Sequence, residues 1–77
     1  MSPVAQADGG VDLSIELLRE SSSFRVRAQA ALVLGRPPRS ARAVAALERA
    51  LADPHPAVRA AAASSLERLE SVGSLAA

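Results

Sequence analysis

Apolar residues recur along this chain at helical spacing, and turn-forming residues cut them into four segments. The clearest stripe is Val58, Ala62, Leu66, Leu69 and Val72, whose steps of 4, 4, 3 and 3 put all five on one helix face. Arg59, Glu67 and Glu70 fall on the far side. Upstream, Val44, Leu47 and Leu51 share one face of a segment of about residues 41–52, with Ser40 as its N-cap. Before that, Val26, Ala30 and Val33 form an inward stripe flanked by Leu34, with Leu32 about a third of a turn outside it. Ser23 caps this helix, which runs to about Gly35, and Pro37-Pro38 prevents its continuation. Asp53-Pro54-His55-Pro56 makes a tight corner, with Pro56 suited to the first position of the fourth helix and Gly73 placed to stop it after about Ser71. The first helix, about residues 13–20 with Asp12 as N-cap, is different. Val11, Ile15 and Leu18 lie on one side of it and Leu13 and Leu17 nearly opposite. A helix apolar on two sides sits between two neighbours. No segment alternates with the period of a strand.

The helices repeat. Val26-Arg27-Ala28-Gln29-Ala30-Ala31-Leu32-Val33-Leu34 returns 32 residues later as Val58-Arg59-Ala60-Ala61-Ala62-Ala63-Ser64-Ser65-Leu66, both reading V-R-x-x-A-A-x-x-L. Leu51-Ala52-Asp53-Pro54-His55-Pro56 precedes the second copy. A period of about 20–50 residues marks a stacked repeat architecture. The pattern resembles HEAT-type repeats of the short bacterial kind found in phycobilisome lyases, over about residues 13–72. The resemblance implies an all-α fold of two HEAT-like antiparallel helix pairs forming a short α-solenoid. It also implies structural roles for Asp53, Arg27 and Arg59, because the Arg of one repeat meets the turn Asp of an adjacent one. The first repeat departs from this pattern, with Ser21, Ser22 and Ser23 where the second has Asp53, Pro54 and His55.

At 77 residues the chain has room for one small domain. Residues 1–10, rich in Gly, Pro and small side chains, read as a flexible leader or linker; 11–73 form the two-repeat domain, and 74–77 a frayed tail. Much of the apolar content is Ala, which favours helix but buries little area, so the core is expected to be thin. Cys is absent, which removes disulfides and thiol chemistry. No apolar run approaches the roughly 20 residues of a membrane span, and no signal-peptide pattern opens the chain, so a soluble, by default cytoplasmic, protein is expected.

Catalysis has little to work with. His55 is the sole histidine, too few for a metal-ligand set; Lys, Cys and Tyr are missing as nucleophile or base, and the serines cluster at helix ends, where capping explains them. No enzyme, cofactor or metal role is expected, and the phycobilisome-lyase likeness alone does not supply one. All nine basic residues are Arg, yet eight acids balance them to a net charge of +1. Arg25, Arg27, Arg36, Arg39 and Arg42 fall between Glu20 and Glu48 without an intervening acid. That stripe could track a phosphate backbone, but Tyr and Trp are absent as stacking surfaces and the chain is nearly neutral. Protein–protein interaction is therefore the leading expectation, with nucleic acid the alternative. Leu13, Leu17, Phe24, Leu32, Arg36, Arg39 and Arg42 are the candidate partner-binding residues. Two-repeat stacks are short of the roughly three repeats that confer stability, so self-association of the isolated chain is also expected.

Overall fold

The computed structural model describes the backbone of residues 3–37 and 39–76 and the side chains of residues 10–37 and 39–71. Met1, Ser2, Pro38 and Ala77, and the side chain of Val72 that the sequence places on the last stripe, lie outside the described residues. Four helices follow one another: α1 (Pro3–Glu20), α2 (Phe24–Leu34), α3 (Ala41–Ala50) and α4 (Pro56–Ala76). No strand occurs among the described residues.

The internal starts follow local chemistry. Ser23 Oγ accepts the Val26 N–H at 3.3 Å and Ser40 Oγ accepts the Ala43 N–H at 3.1 Å, each satisfying a donor that the first turn leaves free. Pro56 opens α4, where a missing N–H costs nothing. The outer ends differ from expectation. α1 begins at Pro3, so residues 3–10 of the expected leader have helical backbone and Asp12 is interior to the helix, not its cap. α4 continues through Gly73 to Ala76, into the expected tail. The reason is the same at both ends: glycine inside a helix costs about 1 kcal/mol but does not forbid it, and proline is tolerated in a first turn.

α1 and α2 form one antiparallel pair and α3 and α4 the next. α1 packs on α2 and α3, and α4 on α2 and α3, while α2 and α3 touch across the diagonal. Among the described residues α1 and α4 do not meet. The result is a two-layer slab, 36 × 34 × 15 Å between Cα extremes. Seven of the twelve buried apolar residues described are Ala, with Leu18, Leu34, Leu47, Val58 and Leu69 supplying the bulk.

Three inward faces are turned relative to the hydrophobic stripes. On α1 the buried line runs through Ser14 and Leu18, so it takes one edge of the Val11–Ile15–Leu18 stripe and turns toward Leu17. Ile15 and Leu17 flank it, both packed against the core, so Leu17 does not point away from the interior. Leu13 alone of that pair remains well exposed, at 59%. On α2 the buried face is Ala30, Ala31 and Leu34, with Arg27 in line, while Val26 is exposed. On α3 it is Ala43, Ala46, Leu47 and Ala50; the helix ends there, which leaves Leu51 exposed in the turn. The cause is visible where α2 meets α4. Ser65 is fully buried and its Oγ donates to the Ala31 carbonyl at 2.7 Å. A Cβ on Gly35 would lie 2.4 Å from Ser65 Oγ. Small residues let these helices approach, and that approach decides which face turns inward.

Candidate functional site

The densest polar cluster joins the two repeats at their turns. Arg27 of α2 donates through Nε to Asp53 Oδ2 at 2.9 Å and through Nη2 to Oδ1 at 3.1 Å, a two-point ion pair. Its Nη1 donates to the Ser21 carbonyl at 2.9 Å. The first repeat's serine turn thus contributes a backbone oxygen where the second has a carboxylate. Asp53 Oδ1 also accepts the His55 N–H at 2.9 Å, which braces the turn. The hydrogen bond from Arg27 holds the Asp53 carboxyl below the usual aspartate range, helped by the His55 N–H and nearby positive charge and opposed by partial burial.

Arg59 repeats half of this geometry. Its Nη1 donates to the Asp53 carbonyl at 2.7 Å and to that of Pro54 at 3.1 Å. Residues 27 and 21 advance by the sequence period of 32 to 59 and 53, so each arginine holds the backbone of its own repeat's turn. Arg59 does not reach the Asp53 carboxylate. Among the described residues no carboxylate pairs with it.

Beside this cluster His55 Nδ1 accepts the Ala57 N–H at 3.0 Å and so caps α4. Its ring stacks on Phe24 with centroids 3.6 Å apart and planes 5° from parallel. The Arg25 guanidinium lies 5.8 Å from the Phe24 ring centre. The pairing of the sole phenylalanine with the sole histidine joins the starts of α2 and α4, and residues 31 apart in sequence carry no local signal of it.

The candidate partner-binding residues do not form one patch. Leu13 and Leu17 lie on the flank of α1 opposite Val11 and Asp12. Asp12 pairs with Arg42 of α3, so the leucine flank faces away from the second repeat. Leu32 is 39% exposed on α2. Phe24 is at the start of that helix, and Arg36 and Arg39 follow its end, about 15 Å away by helix rise. Arg36 and Arg42, but not Arg39, border an open groove of about 550 Å³ between α1, the end of α2 and the start of α3. The groove leaves no signal in the sequence, because Gly10, Ser14 and Ala43, whose small side chains leave the space, have no hydropathic signature.

Among the described residues no group of three or more His, Asp or Glu side chains could hold a metal ion. None of the described helices is long and apolar enough to cross a membrane. A family model of HEAT repeats matches residues 11–77. No curated protein and no solved structure matches the chain.

Proposed function

The chain belongs to the HEAT-repeat family, and on that premise we propose that it is a non-catalytic protein–protein interaction module, either an adaptor or part of a longer HEAT-repeat protein. HEAT repeats generally mediate protein–protein interaction. The observation that carries the reading is the outer flank of α1, where Leu13 stands exposed beside Leu17 on the side away from the second repeat. A core made largely of Ala leaves this small fold to gain from any surface that covers the flank. A partner repeat would do so, and so would a second copy joined through a two-fold axis. A repeat domain from residue 11 is part of the proposal, supported by the start of the family match, with residues 3–10 the helical opening of α1 and not a flexible leader.

Nucleic-acid binding along Arg25–Arg42 has less support. Arg27 is committed to Asp53 and Ser21, Arg42 to Asp12, and one ring face of Phe24 to His55. A phosphate-tracking surface needs free cations and free stacking faces.

Affinity capture from cells expressing the chain, with Leu13→Glu in parallel, tests the reading. A protein retained by the wild type and lost with Leu13→Glu supports it. Retention of nuclease-sensitive nucleic acid alone, or of no protein, overturns it. Sedimentation at micromolar concentration addresses self-association: a dimer that Leu13→Glu converts to monomer is expected, and a wild-type monomer removes that part.

A further inference from the structure

The groove at the junction of the two repeats has an apolar floor, and its rim carries Arg36 and the Arg42–Asp12 ion pair. Val11, Val33, Leu34 and Ala43 supply the floor, with Arg36 and Arg42 at the edge. Its volume of about 550 Å³ falls within the roughly 300–1,000 Å³ typical of binding pockets. Among the described residues no carboxylate lines it. Arg42 is bonded at this rim to Asp12, an exposed carboxylate. Arg36 is exposed and makes no ion pair among the described residues.

We propose that this groove docks an acidic peptide segment of a partner protein, with an apolar side chain filling the floor and a neighbouring carboxylate pairing with Arg36. The proposal rests on the interaction-module reading above and adds the class of partner and the place where it sits. Charge complementarity selects the occupant: with Arg42 already paired to Asp12, Arg36 is the rim cation left without a carboxylate among the described residues, and a guanidinium binds one through two parallel hydrogen bonds. The apolar floor selects against nucleic acid, because desolvating it gains nothing for a phosphate backbone. Phe24, the chain's sole Phe, Tyr or Trp, is at the other end of α2, stacked on His55, and offers the groove no base-stacking platform.

Gly10 provides a way to block the groove without disturbing the fold. It lines the cavity, and a Cβ built there meets no heavy atom within 4 Å. Gly10→Leu therefore adds volume at the groove while raising helix propensity and leaving the charge unchanged. Its thermal midpoint should equal or exceed that of the wild type.

The test is fluorescence polarisation with a labelled peptide that carries Leu flanked by Glu residues. The comparison probes are the same peptide with Leu replaced by Ser and a single-stranded oligonucleotide of equal length. Saturable binding of the Leu peptide is expected, weakened about ten-fold or more by Arg36→Glu and likewise by Gly10→Leu. Both comparison probes should bind about ten-fold more weakly or worse. Failure to saturate at millimolar peptide, indifference to Gly10→Leu, or preference for the oligonucleotide would each overturn the proposal. If the peptide fails while a protein is still captured through Leu13, the groove assignment falls and the interaction-module reading stands. If both fail, both fall.

Discussion

Arg27 and Asp53 hold the two repeats together by a bond that neither repeat can form alone. Arg27 comes from the second helix of the first repeat and Asp53 from the turn of the second, and they meet at 2.9 and 3.1 Å with side chains only 16% and 9% exposed. The same arginine holds the Ser21 carbonyl, so a single guanidinium spans both turns.

Removing either partner should leave the other desolvated and unpaired. Arg27→Ala or Asp53→Ala is expected to cost about 1–3 kcal/mol, less than a deep ion pair because water is close in so thin a slab. Arg27→Lys should recover only part of this, since an ammonium cannot make the two-point contact. Urea unfolding of the single and double alanine variants measures the coupling. Independent effects of the two substitutions, adding without an interaction energy, would contradict the pairing.

The same carboxylate sets a pH dependence. Folding lowers the Asp53 pKa, chiefly through the hydrogen bond from Arg27, so its stabilising contribution is complete above the unfolded aspartate value of about 3.9. That contribution disappears as pH falls through the lower folded value. The difference in stability between wild type and Asp53→Asn should stay constant from about pH 5 to 8 and shrink below about pH 4. A difference that shrank instead between pH 6 and 8 would place the linkage on another group.

Gly35 is held small by Ser65. The added Cβ of Gly35→Ala would fall 2.4 Å from Ser65 Oγ, 2.7 Å from its Cβ and 2.9 Å from its Cα, so α2 and α4 must separate. The backbone φ of −81° suits alanine, so the effect is one of packing alone. A loss of about 1–3 kcal/mol is expected, and Ser65→Gly in the same chain should restore part of it by clearing the space. Thermal melts of the two single variants and the double decide the matter; a neutral Gly35→Ala would show that the helices can part freely.

His55 acts at the start of α4 both as cap and as stacking partner. His55→Ala removes the acceptor for the Ala57 N–H and the ring beneath Phe24, together worth about 1–2 kcal/mol. Asn at this position should restore the cap but not the stack, and Phe24→Leu should remove only the stack. Chemical denaturation of the three variants separates these terms. Equal stability of His55→Ala and wild type would show that neither contact contributes.

Helix identity, the starts of α2, α3 and α4, and the two-repeat plan were legible from the chain alone. Caps, prolines and the 32-residue period act within a few positions or repeat outright, so a linear reading detects them. Tertiary contact decided the rest. Which side of α1 faces inward depended on α2 and α3, and the buried line fell through Ser14 and Leu18, at one edge of the Val11–Ile15–Leu18 stripe and turned toward Leu17. Serine and glycine mark the closest approach of α2 to α4, because close packing selects for missing volume, and missing volume leaves no trace in a hydrophobic pattern. The groove beside Gly10 arises for the same reason, and the Phe24–His55 stack from the adjacency of two helix starts that only the folded stack brings together.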